Sequence, residues 1–386
     1  MSDSVQSKVK RGIVVAPYTL DLVDAVKAFN ARLHAGGVAM TFPESPVPEW
    51  LPPVDGREIF HEYYVAVDQD AVRGTYILKH QPFSVGGQSA RLSQFRLPLS
   101  EGQIDKHFAA VGVQIYLDAV RKQKLLYTVG IGGYQEAVAQ MLLSAGWKTR
   151  AVSFYFRVFH PRRFLQNIVY LRTTPLRRFA LNAMAFSGLG SIAVHAYQAM
   201  KSQRPPRMPT VDSSEENTFG SWADEIWDAA KSDYSLIAVR DSTILNILYP
   251  AGDPRWIRLK VTFEGKVVGW ALLLNVPMHD HNYFGNMRVG SLIDCLALPG
   301  MEDKVVSAAL RYLKRANAEI VVTNLSHQRW QAAAESQGFC SATSNFIFAA
   351  SKPLAQMITS VDPQMDRIHM TRGDGGGPDN LLGTRK

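Results

Sequence analysis

Two distant stretches of the chain share one form. EYYVAVDQDAVRGTYILKHQ (62–81) and WIRLKVTFEGKVVGWALLLN (256–275) each read as strand, polar turn, strand, with a glycine, Gly74 or Gly269, early in the second strand. In EYYVAVD and IRLKVTF apolar and other residues alternate with the two-residue period of a half-buried strand. Each stretch leads to a further strand, ARLSQFRLPL (90–99) or VGSLIDCLAL (289–298), and then to a helix, VGVQIYLDAVRKQ (111–123) or DKVVSAALRYLKRAN (303–317). Next come KLLYTV (124–129) or AEIVVTNL (318–325), a helix ending at Gly146 or Gly338, and an aromatic strand holding Phe154 or Phe346. The strand glycine precedes the helix-ending glycine by 72 residues in one half and by 69 in the other. One period with one element order predicts two copies of an α/β unit; the alternative is a chance likeness of two α/β domains.

A chain of 386 residues exceeds one ordinary core, which agrees with two domains. The expected boundaries are a first domain over 1–160, a basic helical connector over 161–210, a second domain over 211–355 and a flexible tail over 356–386. RPPRMP (204–209) is the best linker, because proline and arginine break regular structure there. Inside the connector, residues 179–200 carry no charge, and their length matches a bilayer span. Asn182, Ser187, Ser191, His195 and Gln198 would be costly in hydrocarbon, and arginines flank the run on both sides. The run therefore reads first as a buried or interdomain helix, second as an interfacial helix on acidic lipid, and last as a span.

The net charge of +8 and pI near 9.4 favour anionic partners such as phosphorylated cofactors or an acidic membrane surface; a generally basic surface is the plain alternative. Two cysteines, Cys295 and Cys340, exclude a disulfide framework and suit a reducing compartment. The N-terminus MSDSVQSKVKRGIVV lacks the apolar core of a signal peptide, so a cytoplasmic location is expected, with peripheral membrane contact compatible. Basic-aromatic repeats are absent, and no nucleic acid is expected as a partner. His279 and His281 would share one strand face if extended, but no third ligand stands near; a solvated loop and no metal are expected.

The order strand, helix, three strands, helix, strand, helix, strand in each half resembles the GNAT acyltransferase fold. The pairing of two copies is similar to the tandem layout of Fem-type aminoacyltransferases. The resemblance covers most of the chain apart from the connector and tail. It implies an α/β (α+β) protein of two GNAT-like domains, each a mixed, mostly antiparallel twisted sheet flanked by helices. In that family the loop after the fourth strand, Gln/Arg-x-x-Gly-x-Gly/Ala, turns backbone N–H groups and a helix dipole toward the pyrophosphate of acyl-CoA. Here HFAAVGV (107–113) follows the strand, with His107 at the Gln/Arg position, Ala110 at the first glycine and Gly112 at the last small residue. Two of these three differ from the family's pattern. The same loop reads equally as an ordinary strand–helix turn.

The cofactor-binding residues so implied are Arg96, Leu97, His107, Ala110, Val111, Gly112 and Val113, with acetyl-CoA or another acyl-CoA as the cofactor. Gly132 and Gly133 of VGIGGY (129–134) either line the same groove or form a tight turn. In the second half Glu302 and Asp303 open the helix and would repel a pyrophosphate, so that copy reads as structural. The family often places a tyrosine acid four residues before the helix-ending glycine; Leu142 and Ala334 stand there. Tyr134 and Tyr155 are the substitutes as acid, with packing the plain reading of each, and Glu62, beside His61, is the candidate base. The implied function is acyl transfer from acyl-CoA to an amine or hydroxyl on a small-molecule or glycan-type acceptor, such as a cell-envelope or polysaccharide precursor. The alternative is a non-catalytic GNAT-like binding or scaffold protein at the membrane periphery.

Overall fold

The computed structural model describes residues 12–201 and 211–375. The RPPRMP linker and the chain beyond 375 lie outside the described residues. The chain divides into two compact units. One holds the residues up to Gln81 together with Arg91–Thr128; the other holds Pro82–Ala90 and everything from Val129.

In the first unit the strands β1 (Val14–Pro17), β2 (Phe60–Asp68), β3 (Ala71–Val85), β4 (Gln88–Ser100) and β5 (Leu126–Val129) lie in that order in the sheet. Helix α1 (Val23–Ala35) follows β1, and α2 (Ala109–Lys122) connects β4 to β5. The α1 residues Val26, Phe29 and Leu33 recur at helical spacing and pack with Phe42, Val65, Val72, Ile77 and Leu99 into one core. The tip of the β3–β4 hairpin turns at Gly86-Gly87, both at positive φ, which is the geometry a two-residue hairpin turn needs. That tip belongs to the second unit.

The second unit contains, in chain order, α3 (Ala137–Ser144), β6 (Lys148–Ala151), β7 (Ser153–Val158), α4 (Pro161–Asn167), α5 (Pro175–Ser187), α6 (Leu189–Lys201), β8 (Asp212–Glu215) and α7 (Ser221–Ala230). It continues with β9 (Leu236–Ala238), α8 (Ser242–Leu248), β10 (Ile257–Phe263), β11 (Lys266–Pro277), β12 (Arg288–Ala297), α9 (Glu302–Arg315), β13 (Ile320–Leu325) and α10 (Gln328–Ser336). It ends with β14 (Cys340–Ala342), β15 (Ile347–Ala350), α11 (Lys352–Val361) and β16 (Ile368–His369). The main sheet has the order β14-β7-β13-β12-β11-β10-β8. Only β12 and β13 run parallel there among the pairs with stated register.

The internal echo reaches the level of backbone irregularity. In the first unit Ala66 pairs with Gly74 and the register then slips, so that Val67 faces Val72. In the second Val261 pairs with Gly269 and slips in the same way, so that Thr262 faces Val267. Both are β-bulges, which bend and twist a strand. The glycine is needed for a close approach. A Cβ at Gly74 would lie 2.6 Å from Val111 of α2, and one at Gly269 would lie 2.6 Å from Val305 of α9 and 2.5 Å from the Leu296 carbonyl. In each copy the helix after the third strand of the meander therefore presses a valine onto the second strand.

The aromatic strands depart from expectation. Strand β7, FYFRV with a leading serine, does not end a sheet of its own copy. It lies between β13 and β14, pairing from Ser153↔Leu325 to Val158↔Ile320. Strand β15, the equivalent strand of the second copy, pairs instead with β6, from Ile347↔Ala151 to Ala350↔Lys148. Backbone pairing is blind to side-chain type, and two aromatic strands of the same pattern fit either edge.

The connector folds as helices α4, α5 and α6. Phe164, Leu165, Ile168, Leu181, Ala185 and Val194 pack against Val158, Met287, Val289, Ile320 and Val322 of the main sheet. The uncharged run is two 13-residue helices broken at Gly188 (φ +76°) and bent by 93°. No single described helix is long and apolar enough to cross a membrane. The tail expected to be flexible from residue 356 is ordered as far as 375: α11 buries Leu354, Ala355 and Ile358, and residues 368–371 are buried.

Candidate functional site

The parallel pairing of β4 with β5 covers two residue pairs, Ser93↔Leu126 and Gln94↔Tyr127. Three residues on, Leu97 takes φ +45°, a left-handed conformation that costs a branched residue energy and redirects the strand. Beyond it the chain does not enter α2 through a short loop. Ser100 ends β4, and two 3-10 turns follow, Glu101–Gln103 and Lys106–Phe108.

These turns spend most of the backbone donors before the helix. Gly102 N–H donates to Ser100 Oγ (3.1 Å), His107 N–H to Asp105 Oδ1 (2.9 Å), and the Ile104 and Asp105 N–H groups to Glu101 O. Phe108 N–H donates to Asp105 O, and Ala109 N–H to Lys106 O. The next N–H groups in line are those of Ala110 and Val111, in the first turn of α2. That turn carries no acid; Lys106, His107, Ala109 and Ala110 beside it are exposed. Beneath it the carboxylate of Glu101, almost fully buried, binds Arg32 Nε (2.5 Å) and Arg73 Nη1 (2.7 Å), an internal anion that fixes the turn.

Two polar groups occupy opposite faces of β2, β3 and β4. On one face Glu62 accepts from Tyr64 Oη (2.9 Å) and from His80 Nε2 (2.8 Å), while His80 Nδ1 lies 2.7 Å from Ser93 Oγ. With Nε2 carrying the proton toward Glu62, Nδ1 accepts from the serine hydroxyl. The His80 hydrogen bond holds the Glu62 carboxyl below the usual range, so it is ionised at neutral pH. On the same face Tyr76 Oη donates to Asp118 of α2 (2.5 Å) and its ring stacks on Tyr64 at 5.0 Å. Burial raises the Tyr76 hydroxyl far above its ordinary value.

The other face is cationic. His61 pairs with Lys79 across β2 and β3, and Arg96 Nη1 donates to His61 Nε2 at 3.0 Å. Since a guanidinium only donates, His61 is neutral; burial first, then Arg96 and Lys79, push its pKa well below 6.5. Trp50 covers the group, 5.4 Å from Lys79 Nζ, 5.8 Å from the Arg96 guanidinium and 5.2 Å from the His61 ring. Leu51 beside it sits at φ +57° and accepts the His61 N–H through its carbonyl (2.8 Å). The side-chain oxygens of buried Gln81 and Gln94 find no donor among the described residues.

The first unit thus holds Glu62, Arg96, Leu97, His107, Ala110, Val111, Gly112 and Val113. Val111 is a core residue, and Val113 is exposed on α2. The second unit holds Gly132 and Gly133, at φ +84° and +125°, in a loop that requires glycine. Tyr134 lies exposed there, its carbonyl accepting from Gln140 Nε2. Tyr155 is buried on β7 and donates to Glu335 (3.1 Å); burial raises its hydroxyl, as befits a packed strand residue. His281 accepts the Tyr283 and Phe284 N–H groups through Nδ1, which shapes the loop expected there. Sequence reasoning missed His80, Ser93, Lys79 and Trp50. Only strand register brings the first three beside Glu62 and His61; Trp50 comes from a proline-rich irregular segment with no period to read.

In the second unit the equivalent gap is filled. Strands β12 and β13 pair at Val289↔Ile320, Gly290↔Val321 and Ser291↔Val322. Beyond, the C-terminal segment takes the space. Thr371 bridges Leu325, and Met370 O accepts from Ser326 N–H. His369 Nε2 meets Cys295 O at 3.1 Å, and Thr371 Oγ1 donates to Asp294 at the same distance. Arg240, 1% exposed, clamps the segment: its Nε is shared between both Asp294 carboxylate oxygens and its Nη2 between both of Asp374, at 2.9–3.1 Å. With Glu302 buried at the start of α9, this copy has neither room nor charge for a pyrophosphate.

No protein-family profile and no curated protein sequence matches the chain. Among solved structures it is similar to Saccharomyces cerevisiae N-myristoyltransferase with bound myristoyl-CoA, at 8% identity and TM-score 0.49 over 88% of this chain and 82% of that one. It is also similar to Eis1 from Mycobacterium abscessus, at 13% identity and TM-score 0.45 over 88% and 73%. A conserved Enterococcus faecalis V583 protein of unknown function, described as a probable N-acyltransferase, aligns at 8% identity and TM-score 0.46 over 92% and 74%.

Proposed function

We propose that the chain is a GNAT-type acyltransferase whose first unit binds an acyl-CoA and whose second unit is structural. The observation that carries this reading is the early end of the β4–β5 ladder at Gln94↔Tyr127, next to the left-handed Leu97 and the acid-free, exposed start of α2. A thioester arm laid along β4 would find backbone groups of Arg96 and Leu97. Its phosphates would meet the Ala110 and Val111 N–H groups with Lys106 and His107. Two helix donors make a smaller cradle than the family's loop.

Acyl transfer to an amine needs a base for the acceptor and a donor for the oxyanion. Glu62, kept ionised by His80, supplies the base and attracts an ammonium. The oxygens of Gln81 and Gln94, with Lys79 and Arg96, lie on the opposite face of these strands and take no part in holding an acceptor at Glu62. A small amine or a glycan-type envelope precursor fits this chemistry. The consumption of the nearby amides by internal acceptors favours a second reading, a non-catalytic binding protein.

Thermal unfolding with acetyl-, hexanoyl- and myristoyl-CoA separates the two. At 100-fold over its dissociation constant, a bound thioester adds about 2.7 kcal/mol to stability. Absence of any shift up to millimolar thioester, with no release of free CoA in the presence of primary amines, would remove the transferase reading.

A further inference from the structure

From Ala137 to Val211 the chain contains no aspartate or glutamate, but eleven lysines and arginines. Helices α5 and α6 lie within this stretch. One face of the pair is turned inward: Leu181, Ala185 and Val194 pack on the main-sheet core, and Gln198 reaches the Val158 carbonyl. The other face ought to be polar in a helix pair that meets water. Instead it shows Leu176 (77% exposed), Phe179 (74%), Phe186 (68%), Leu189 (64%), Ile192 (68%) and Met200 (78%). Within α5 they are spaced by three and seven residues and within α6 by three and eight, one and two turns, so each helix carries an apolar stripe.

Arginines stand at the border of this stripe. Arg162 lies 5.1 Å from the Phe186 ring centre, and Arg177 and Arg178 are exposed in the first turns of α5. A contiguous apolar patch with a polar rim marks an interaction surface. The rim decides the occupant. A second copy would bring the same cations together and repel, whereas an anionic bilayer attracts them and accepts the apolar side chains. Each helix of 13 residues is about 20 Å long, short of the roughly 30 Å hydrocarbon core, and the 93° bend prevents the two from acting as one rod.

We propose that α5 and α6 form a monotopic anchor, which lies in the headgroup region of an anionic bilayer with the Leu176–Met200 stripe in the acyl boundary and the arginines at the phosphates. Long arginine stems allow this arrangement, since the chain can lie on apolar surface while the guanidinium reaches the interface. The anchor is independent of acyl-CoA binding.

The test is flotation of the full chain with vesicles of phosphatidylcholine, alone and with about one third phosphatidylglycerol. The expected result is at least about tenfold stronger partitioning onto the anionic vesicles, weakened by added salt. The Leu176→Ser/Phe179→Ser variant should lose flotation on both. Arg177→Gln/Arg178→Gln should lose the anionic preference alone. Both keep the fold, because the altered side chains are exposed; circular dichroism checks this. As Cys295 and Cys340 are buried, an Ile192→Cys variant can carry an environment-sensitive fluorophore, whose emission should shift to the blue at lower lipid concentration on anionic than on neutral vesicles. Equal flotation of the parent and Leu176→Ser/Phe179→Ser proteins would overturn the proposal. So would a concentration-dependent dimer that shields the label without lipid. No acyl-CoA enters the assay, so its outcome leaves the transferase reading to its own test.

Discussion

Thr371 pairs through its backbone with Leu325, 46 residues earlier in the chain, and by doing so closes the gap between β12 and β13 with the protein's own C-terminal segment. The clamp on that segment is Arg240, shared by two buried carboxylates. Arg240→Met should destabilise the protein by about 3–5 kcal/mol, measured by urea unfolding at neutral pH, because Asp294 and Asp374 would lose their counterion. Burial already pushes the Asp294 carboxyl upward against the pull of Arg240. The deficit of the variant should therefore shrink as pH falls and the stranded carboxyls take up protons.

The two bulge glycines should behave alike. Gly74→Ala and Gly269→Ala each force a Cβ into a valine methyl, and for Gly269 into a carbonyl oxygen as well. Losses of about 1–3 kcal/mol are expected, the larger at Gly269 because backbone gives way less than a side chain. Thermal unfolding of the two variants checks the order. Equal stability of both with the parent protein would mean that the helices are not pressed on the sheets as described.

Acid should weaken the fold before carboxylates titrate. Burial lowers His327 to about 4, and holds His61 and His369 well below 6.5. These imidazoles are neutral in the folded chain and take up protons readily when unfolded. Their stabilising contribution is full above pH about 6.5 and is lost as pH falls toward the folded values. For His327 alone the loss at pH 5 is about 2 kcal/mol. Melting temperature should fall between pH 7 and 5, and His327→Gln should flatten that slope.

Glu62→Gln should lower kcat/KM for acyl transfer by about 10²–10⁴-fold with little change in the dissociation constant of the acyl-CoA. Since the Glu62 carboxyl lies below the usual range, the parent rate should fall only on the acid side, below about pH 4.5. Steady-state rates with calorimetric binding measure both quantities. A parallel loss of thioester affinity would instead place Glu62 in the donor site.

The likeness of the two hairpins was legible in the sequence because hydrophobic period, glycine position and element order are local properties, and EYYVAVD and IRLKVTF display them without help from the rest of the chain. The strand-to-helix order at β4–α2 and at β12–α9 was legible for the same reason. The partner of a strand was not: FYFRVF and FIFAA carry one pattern, and which sheet edge each joins depends on backbone hydrogen bonds that leave no mark on residue type. Glu62 was readable as a candidate base at a strand start, but His80 and Ser93 join its hydrogen-bonded group only through the register of three strands. The fate of the loop amides at 102–109 was likewise set by turn geometry. Residue order alone specifies two α/β copies, a cationic connector without acids and a charge-poor helical run. That the tail fills the second copy, that Trp50 roofs a cationic face and that the connector helices show apolar side chains outward emerges only in the folded chain, because each depends on contacts between segments far apart in the sequence.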